Sequence, residues 1–535
     1  MTIQVTEPEP VIITASPHAS VLGIRARAAW TKGIGVLIVA MLSLLVADAL
    51  ALRADNPFLV AGFTGAAVLT PILWFRPAVG VYILVVGAAL FESFSLNFPD
   101  SLTDKVPFFK SFASLGSPIP LPFTLAETVM FLALAVIAVK RMVDRKAPLE
   151  MGPLSWGIGL YSVALVGGFI HGVATGGDVN IALWEVRAPL YLFLVYILAF
   201  TALHDRTQVQ RLIWLLLIAI ATKGLLGTWR FLVTLGGDLS KVPEVSTFNS
   251  LLSHEESLFL AFFLATGLLL YLFRSNGKQL KFVALFSLPV LIAFLANERR
   301  AGIMAFVIMA GVIGLFAFAL IPERRKRLGT VAAVSLLLFP PYAMAFGNSD
   351  GIFAQPARAV MSAFVPDPRD LSSNSYRVAE TESLKQNIAR NPLLGAGYGK
   401  PIVWYVPIPD LSHLFSFWAY IPHNTVLWIW LRLGFLGFIA FWFLVGRIIV
   451  QGATAARNTD TPYLRGIAVL TVATITAWIA LGALDMGFAD FRSTILIGAL
   501  VAAMARMSPS TRRTSMPADG AAVQEERPLV IEPSR

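Results

Sequence analysis

About fourteen long apolar runs, most separated by only a few polar residues, constrain this chain more than any other feature. Their approximate spans are 33–52, 58–75, 78–97, 123–141, 153–174, 188–203, 212–235, 256–273, 282–297, 301–321, 330–346, 423–449, 466–486 and 492–506. A hydrocarbon core roughly 30 Å thick takes about twenty residues of helix to cross. None of the runs alternates apolar and polar residues with a period of two, which excludes the strands of an outer-membrane barrel. The expected fold is therefore an all-α polytopic integral membrane protein of about fourteen transmembrane helices. The composition agrees: 56% of the 535 residues are hydrophobic, 14% are charged, and the mean hydropathy is +0.72.

The net charge of +10 is distributed as a membrane protein distributes it, and no nucleic acid is implied. Basic residues gather at Arg25, Arg27 and Lys32, at 140–146, at Arg206 and Arg211, at 274–281, at 323–327, at 447–465, and at Arg512 and Arg513. Threading the helices alternately puts every cluster on one side, which the positive-inside rule makes cytoplasmic, with both termini there. The opposite, periplasmic side receives 98–122, 175–187, 236–255, 347–422 and 487–491. Residues 1–30 read as a cytoplasmic segment without a cleavable signal, because Glu7 and Glu9 stand where a basic region is required. The chain then divides into helices 1–11 over 31–346, a large periplasmic loop at 347–422, helices 12–14 over 423–506, and a disordered cytoplasmic tail from 507 to 535. The absence of cysteine excludes disulfides and thiol chemistry.

Charges inside apolar runs cost about 3 kcal/mol each at the bilayer centre and need partners, water or a function. Asp48, Glu92, Glu127, Arg187, Arg230 and Asp485 map to the periplasmic ends of their helices, where they either snorkel or line a site. Lys223 lies nearer mid-helix. With Gly227 and Arg230 it shares one helical face. That face either lines an anion-accepting cleft or makes a structural salt bridge to an acid such as Glu127. Arg299 and Arg300 occupy a very short periplasmic turn, against the positive-inside bias. Their planar forks suit bidentate phosphate contacts, with headgroup anchoring as the plain alternative.

The long loop predicts a helix of its own, capped at Ser373-Asn374, running to Arg390 and stopped by Asn391-Pro392. Arg377, Thr381, Leu384 and Ile388 fall on one face, which points Arg377 inward with Glu380 one turn away. The glycines of Asn391-Pro392-Leu393-Leu394-Gly395-Ala396-Gly397-Tyr398-Gly399 read as a flexible turn and form no dinucleotide fingerprint. Pro422-His423-Asn424-Thr425 then opens a membrane helix. His423 is either a polar residue at an interface or, kept neutral by the helix N-terminus and nearby arginines, a general base. Asp367-Pro368-Arg369-Asp370 suits a turn better than a magnesium site, so no metal and no cofactor are expected.

Four of these elements, in order and on one side, resemble the O-antigen ligase and O-antigen polymerase superfamily of bacterial membrane glycosyltransferases. They are Arg187 following Glu185, Arg300 in Arg-Arg-Ala-Gly-Ile-Met-Ala, Arg377 ahead of Asn-Pro-Leu-Leu-Gly-Ala-Gly-Tyr-Gly, and His423-Asn424 before Leu-Gly-Phe-Leu-Gly; together they span roughly residues 180–450. The resemblance implies transfer of a glycan from an undecaprenyl-diphosphate-linked oligosaccharide to a glycan or lipid-linked acceptor, without a metal. It implies an enzyme of exopolysaccharide, capsule or O-antigen synthesis in the bacterial inner membrane, embedded among membrane lipids, with chain-length or export proteins as partners. By the resemblance Arg300 would hold the diphosphate, assisted by Arg187 and Arg377, and His423 would activate or position the acceptor hydroxyl; Arg299, Lys223, Arg230 and Asn424 are further candidates for diphosphate or substrate contact from their own placement. One direct displacement implies inversion at the anomeric carbon. About fourteen helices, against the roughly twelve the resemblance implies for ligases, tilt the expectation to a polymerase over a ligase acting on lipid A-core. A lipid-linked oligosaccharide flippase or other transporter, and a non-catalytic export partner, are the expectations from other classes.

Overall fold

The computed structural model describes residues 33–49, 57–93, 101–112, 123–242, 251–349, 351–362, 364–365, 368–413 and 415–508. The basic residues Arg25, Arg27, Lys32, Arg512 and Arg513, most of the terminal segments expected at 1–30 and 507–535, and Asp367 lie outside the described residues. Each of the apolar runs carries a helix, although that of the run expected at 78–97 ends at Leu90. In chain order these are α1 (Gly33–Ala49), α2 (Pro57–Phe75), α3 (Ala78–Leu90), α4 (Leu125–Val143), α5 (Ser155–Ala174), α6 (Val179–Ala202), α7 (Arg206–Trp229), α8 (Glu256–Phe273), α9 (Gly277–Ala296), α10 (Arg300–Leu320) and α11 (Arg325–Phe346). A short α12 (Gln355–Met361) and the amphipathic α13 (Pro368–Arg390) precede α14 (Thr425–Asn458), α15 (Pro462–Leu484) and α16 (Phe491–Met507). Among the described residues there is no strand, only an isolated bridge between Ser111 and Thr124, and nine helices are long and apolar enough to cross a membrane. The protein is an all-α polytopic membrane protein.

The bundle packs in pairs, α6 with α16, α10 with α15, α14 with α15, α7 with α9, α8 with α10 and α5 with α14. The apolar window of α15 is 72% buried, whereas that of α11 is 6% buried and stands at the lipid-facing edge. Local signals set the helix starts. Asp178, Asp205, Asn276 and Asn424 each accept a backbone N–H of the first turn they cap, and Thr124 with Glu127 forms a reciprocal capping box on α4.

The thirty-four residues of α14 are interrupted at Gly434, whose φ of 65° and ψ of −173° leave the helical region. The segment from Pro392 to Gly399 fills the break. The Ala396 N–H donates to Leu431 O at 2.7 Å, Gly397 N–H to Arg432 O at 3.1 Å, and Phe435 N–H to Pro392 O at 2.8 Å. The carbonyls released by the kink are thus satisfied by the inserted loop, as burial of backbone requires. A Cβ on Gly434 would lie 2.1 Å from Leu393 O, so only glycine fits. The expected flexible turn is in fact a fixed insertion, because its N–H groups are committed to α14 and, through Tyr398 at 3.1 Å, to Gly168 O of α5.

A buried ion pair locks the insertion. Arg432 and Glu185 meet at 2.7 Å, with side chains 1% and 0% exposed. Arg432 also donates to the carbonyls of Gly397, Lys400 and Tyr420, while Glu185 accepts the Gly399 N–H at 2.6 Å and the indole of Trp428 at 3.3 Å. Each charge is surrounded by hydrogen-bonding groups, which offsets the cost of burying it.

Candidate functional site

The candidate cleft is marked by polar contacts where α13 meets the starts of α10 and α14. The helix α13 begins at Pro368, not at the expected cap Ser373-Asn374, and Asn374 lies within it. Its Leu384 and Ile388 bury themselves against Leu431 and Ile402, and its Ser383 and Asn387 side chains bond the backbone of Tyr405, Val406 and Val403. These contacts fix the helix. Its Glu380 is then carried to the mouth of α14.

There Glu380 accepts twice from His423. One oxygen takes the backbone N–H at 2.9 Å and the other lies 3.2 Å from Nδ1. Glu380 is 3% exposed and His423 26%. Tyr376, one turn back on α13, meets the His423 ring edge-on at 5.6 Å, and its hydroxyl accepts the Trp418 indole N–H at 2.7 Å. Trp404 lies 5.0 Å from Trp418 and extends this aromatic wall.

The expectation that the helix N-terminus and nearby arginines press His423 toward its neutral form is corrected in direction. Burial disfavours its imidazolium, but the hydrogen bond and charge of Glu380, joined by Asp485, outweigh burial and the opposing Arg377, and raise its pKa above the ordinary imidazole value. The helix N-terminus is spent elsewhere: the Asn424 side chain accepts the Leu427 N–H at 3.1 Å and caps α14. Asn424 therefore holds the helix start.

Two residues complete the cleft. Asp485, at the end of α15, lies 3.4 Å from Nδ1 of His254, in the turn before α8. Burial pushes the Asp485 carboxyl up, yet His254, His423 and Arg377 together hold it well below the ordinary carboxylate range. Desolvation and the charge of Arg299 lower His254. Arg299 thus acts on His254, and Arg377 on His423 and Asp485. Burial and the neighbouring Glu380 raise the Tyr376 phenol to about 12, so it remains a neutral hydrogen-bonding group.

The turn carrying Arg299 and Arg300 is braced from three directions. Asn297 accepts the Leu252 N–H at 3.0 Å and donates to Ser253 O and Ser257 Oγ, and Glu298 takes hydrogen bonds from Gln355 and Arg358 of α12. Glu298 adopts a φ of 51°, a left-handed conformation unusual for a residue with a Cβ. Arg300 donates to Ser362 Oγ at 3.1 Å and Asn374 Oδ1 at 3.3 Å. Asn374 and Glu380 are six residues apart on α13, about 9 Å along its axis. One helix therefore links Arg300 to His423.

The remaining sequence-derived candidates sit elsewhere. The Nε of Arg187 is 3.3 Å from Glu127, whose other oxygen closes the α4 capping box. Lys223 and Arg230 are 1% and 2% exposed. Lys223 pairs with Glu92 and, at 3.2 Å, with Glu256, and donates to Thr103 and Leu90 O. Arg492 completes this cage, 2.7 Å from Glu256 and 3.1 Å from Glu255. Of the two expectations for this face, the structural salt bridge holds and the anion-accepting cleft does not: a Cβ on Gly227 would meet Ala293 and Leu252 at 2.9 Å, so the glycine lets α9 pack against α7. The acid partnering Lys223 is not Glu127. Sequence reasoning missed His254 and Arg432 altogether. Only proximity in three dimensions reveals them, since nothing in the residues around His254 marks it.

Comparison with known proteins bears on this cleft. Residues 260–442 match the family model described as O-antigen ligase. A 204-residue stretch is 25% identical to the O-antigen ligase of Salmonella typhimurium, covering 35% of this chain and 43% of that protein. The matched segment carries Arg299, Arg300, Arg377, Glu380, His423 and the kink at Gly434.

Proposed function

With an O-antigen ligase family segment at the centre of a bacterial membrane protein, we propose that the chain is a glycosyltransferase of the periplasmic face of the inner membrane. It moves a glycan from an undecaprenyl-diphosphate carrier to an acceptor hydroxyl. The observation that carries this reading is the Glu380–His423 pair set among Arg299, Arg377 and the oriented Arg300. Glu380 holds the Nδ1–H of His423 and leaves Nε2 as the proton acceptor, an arrangement that orients a base and stabilises the imidazolium it becomes.

In the transfer, Nε2 takes the acceptor's O–H proton as that oxygen attacks the anomeric carbon. The bond from this carbon to the diphosphate oxygen breaks, and the electron pair leaves with the lipid diphosphate. Guanidinium groups fixed at the cleft stabilise the charge that develops there. One displacement inverts the anomeric carbon. The aromatic wall of Tyr376, Trp404 and Trp418 supplies apolar faces for sugar rings. Arg187, Lys223 and Asn424 take no step in this scheme, since each is engaged in a structural contact.

Two acceptors fit. The similarity to a protein named O-antigen ligase favours a lipid-linked surface acceptor, whereas the large number of apolar segments favours a polymerase that extends a second carrier-linked chain. Cells carrying His423→Ala, with membrane levels checked, separate these readings. Loss of polymer with single carrier-linked repeats outside supports a polymerase, and long carrier-linked chains outside support a ligase. Repeats trapped inside indicate a flippase, and unchanged output removes His423 from the chemistry.

A further inference from the structure

The end of α8 remote from His423 and the starts of α9 and α11 border a cavity of about 280 Å³ lined by Leu270, Tyr271, Arg274, Leu280, Arg324 and Arg327, with Asn276 and Gly277 at its edge. An eighteen-residue helix separates this cavity from the cleft by about 27 Å. Three guanidinium groups therefore meet around one space at the opposite membrane boundary. Arg324 is a fixed wall: it donates to Tyr271 O at 3.1 Å and lies 5.3 Å over the Tyr271 ring. Arg274 and Arg327 are exposed, and neither side chain has a partner among the described residues. Glu323 is the one acid between Ile321 and Leu328, and Arg325 is turned away onto the carbonyls of Phe318 and Ala319.

The backbone at Arg274 adds an independent observation. It closes α8 at φ 46° and ψ 42°, the left-handed position that glycine or asparagine ordinarily fills. A long cation in that strained position, aimed at an arginine-lined space, is unneeded for ending the helix. The cavity also adjoins surface that faces hydrocarbon, since Tyr271 is 57% exposed and the helix that follows Arg324 has an apolar window only 6% buried.

We propose that this cavity binds the phosphate-bearing headgroup of an anionic phospholipid, with Arg274 and Arg327 on the phosphate and Leu270 and Leu280 against the first acyl carbons. Planar guanidinium forks match phosphate oxygens, and basic pockets between membrane helices are suited to anionic headgroups. A membrane-edge opening favours a lipid over soluble phosphate as the source of that group.

Thermal unfolding of the full-length protein in detergent tests the proposal, using dioctanoyl phosphatidylglycerol, dioctanoyl phosphatidylcholine and sodium phosphate as probes. A ligand that binds only the folded state raises the melting temperature. The phosphatidylglycerol should raise it by several degrees in a saturable manner, the other two probes less, and Arg274→Gly with Arg327→Gln should remove the rise. Arg274→Gly alone should keep or increase the lipid-free melting temperature, because glycine relaxes the left-handed cap, so a lost response cannot be attributed to misfolding. An equal rise with phosphatidylcholine, or an undiminished rise in the double variant, overturns the site. A rise of the same size with phosphate alone overturns the lipid as its source.

Discussion

The cage around Lys223 and the cleft around His423 are built from the same residue types and differ in how their charges are closed. In the cage, Lys223, Glu92, Glu256 and Arg492 are 0–1% exposed and bond one another directly. In the cleft, the side chains of His423, His254 and Asp485 stay 26%, 42% and 20% exposed, with Arg299 acting on His254 and Arg377 on the other two. A closed network of charges stabilises an arrangement, because removing one member strands the others. An open one, with its histidines partly exposed beside arginines, is able to receive a ligand. Charge inside a membrane protein therefore points to function only when its partners leave something unanswered.

The sharpest way to break this comparison is to neutralise the cage. Lys223→Met leaves Glu92 without its cation and should cost about 3–5 kcal/mol of stability, read as a collapse of folded protein in membranes. Lys223→Met with Glu92→Gln restores charge balance and should recover much of the level. If the single variant is abundant and inactive, the cage belongs to the site.

Next in size is Arg300→Lys, which keeps the charge and loses the fork that reaches Ser362 and Asn374 together. Activity should fall by about 10²-fold, nearly as far as for Arg300→Ala, as expected for a donor fixed on developing charge. Substantial turnover in the lysine variant would remove Arg300 from diphosphate binding.

The smallest effect is expected at Glu380. Because Glu380 helps raise the pKa of His423, and the base works only when neutral, activity should decline as pH falls through that raised value. The same proton adds stability at low pH that is lost as pH rises through the folded pKa. Glu380→Gln should move the acid limb of kcat/KM to lower pH and reduce the plateau about tenfold. An unmoved limb would show that another group titrates.

Helix positions were legible in the sequence because a membrane-crossing run is a local property: each apolar segment became a helix, and Leu384 and Ile388 revealed the buried face of α13. Pairing was not. His423 and Glu380 are forty-three residues apart, and nothing in either neighbourhood states that they meet. The direction of the His423 shift was misread for that reason, since it depends on the distant carboxylate. Leu433-Gly434-Phe435 reads as unbroken apolar helix, and only the inserted loop beside it explains the break.

Turnover per folded molecule, measured side by side for His423→Gln and Lys223→Met, tests the central claim most directly. The account predicts that His423→Gln accumulates normally and transfers about 10³-fold less glycan, while Lys223→Met is scarce but retains near-normal turnover in its folded fraction. Full turnover in His423→Gln, or an abundant and inactive Lys223→Met, would contradict it.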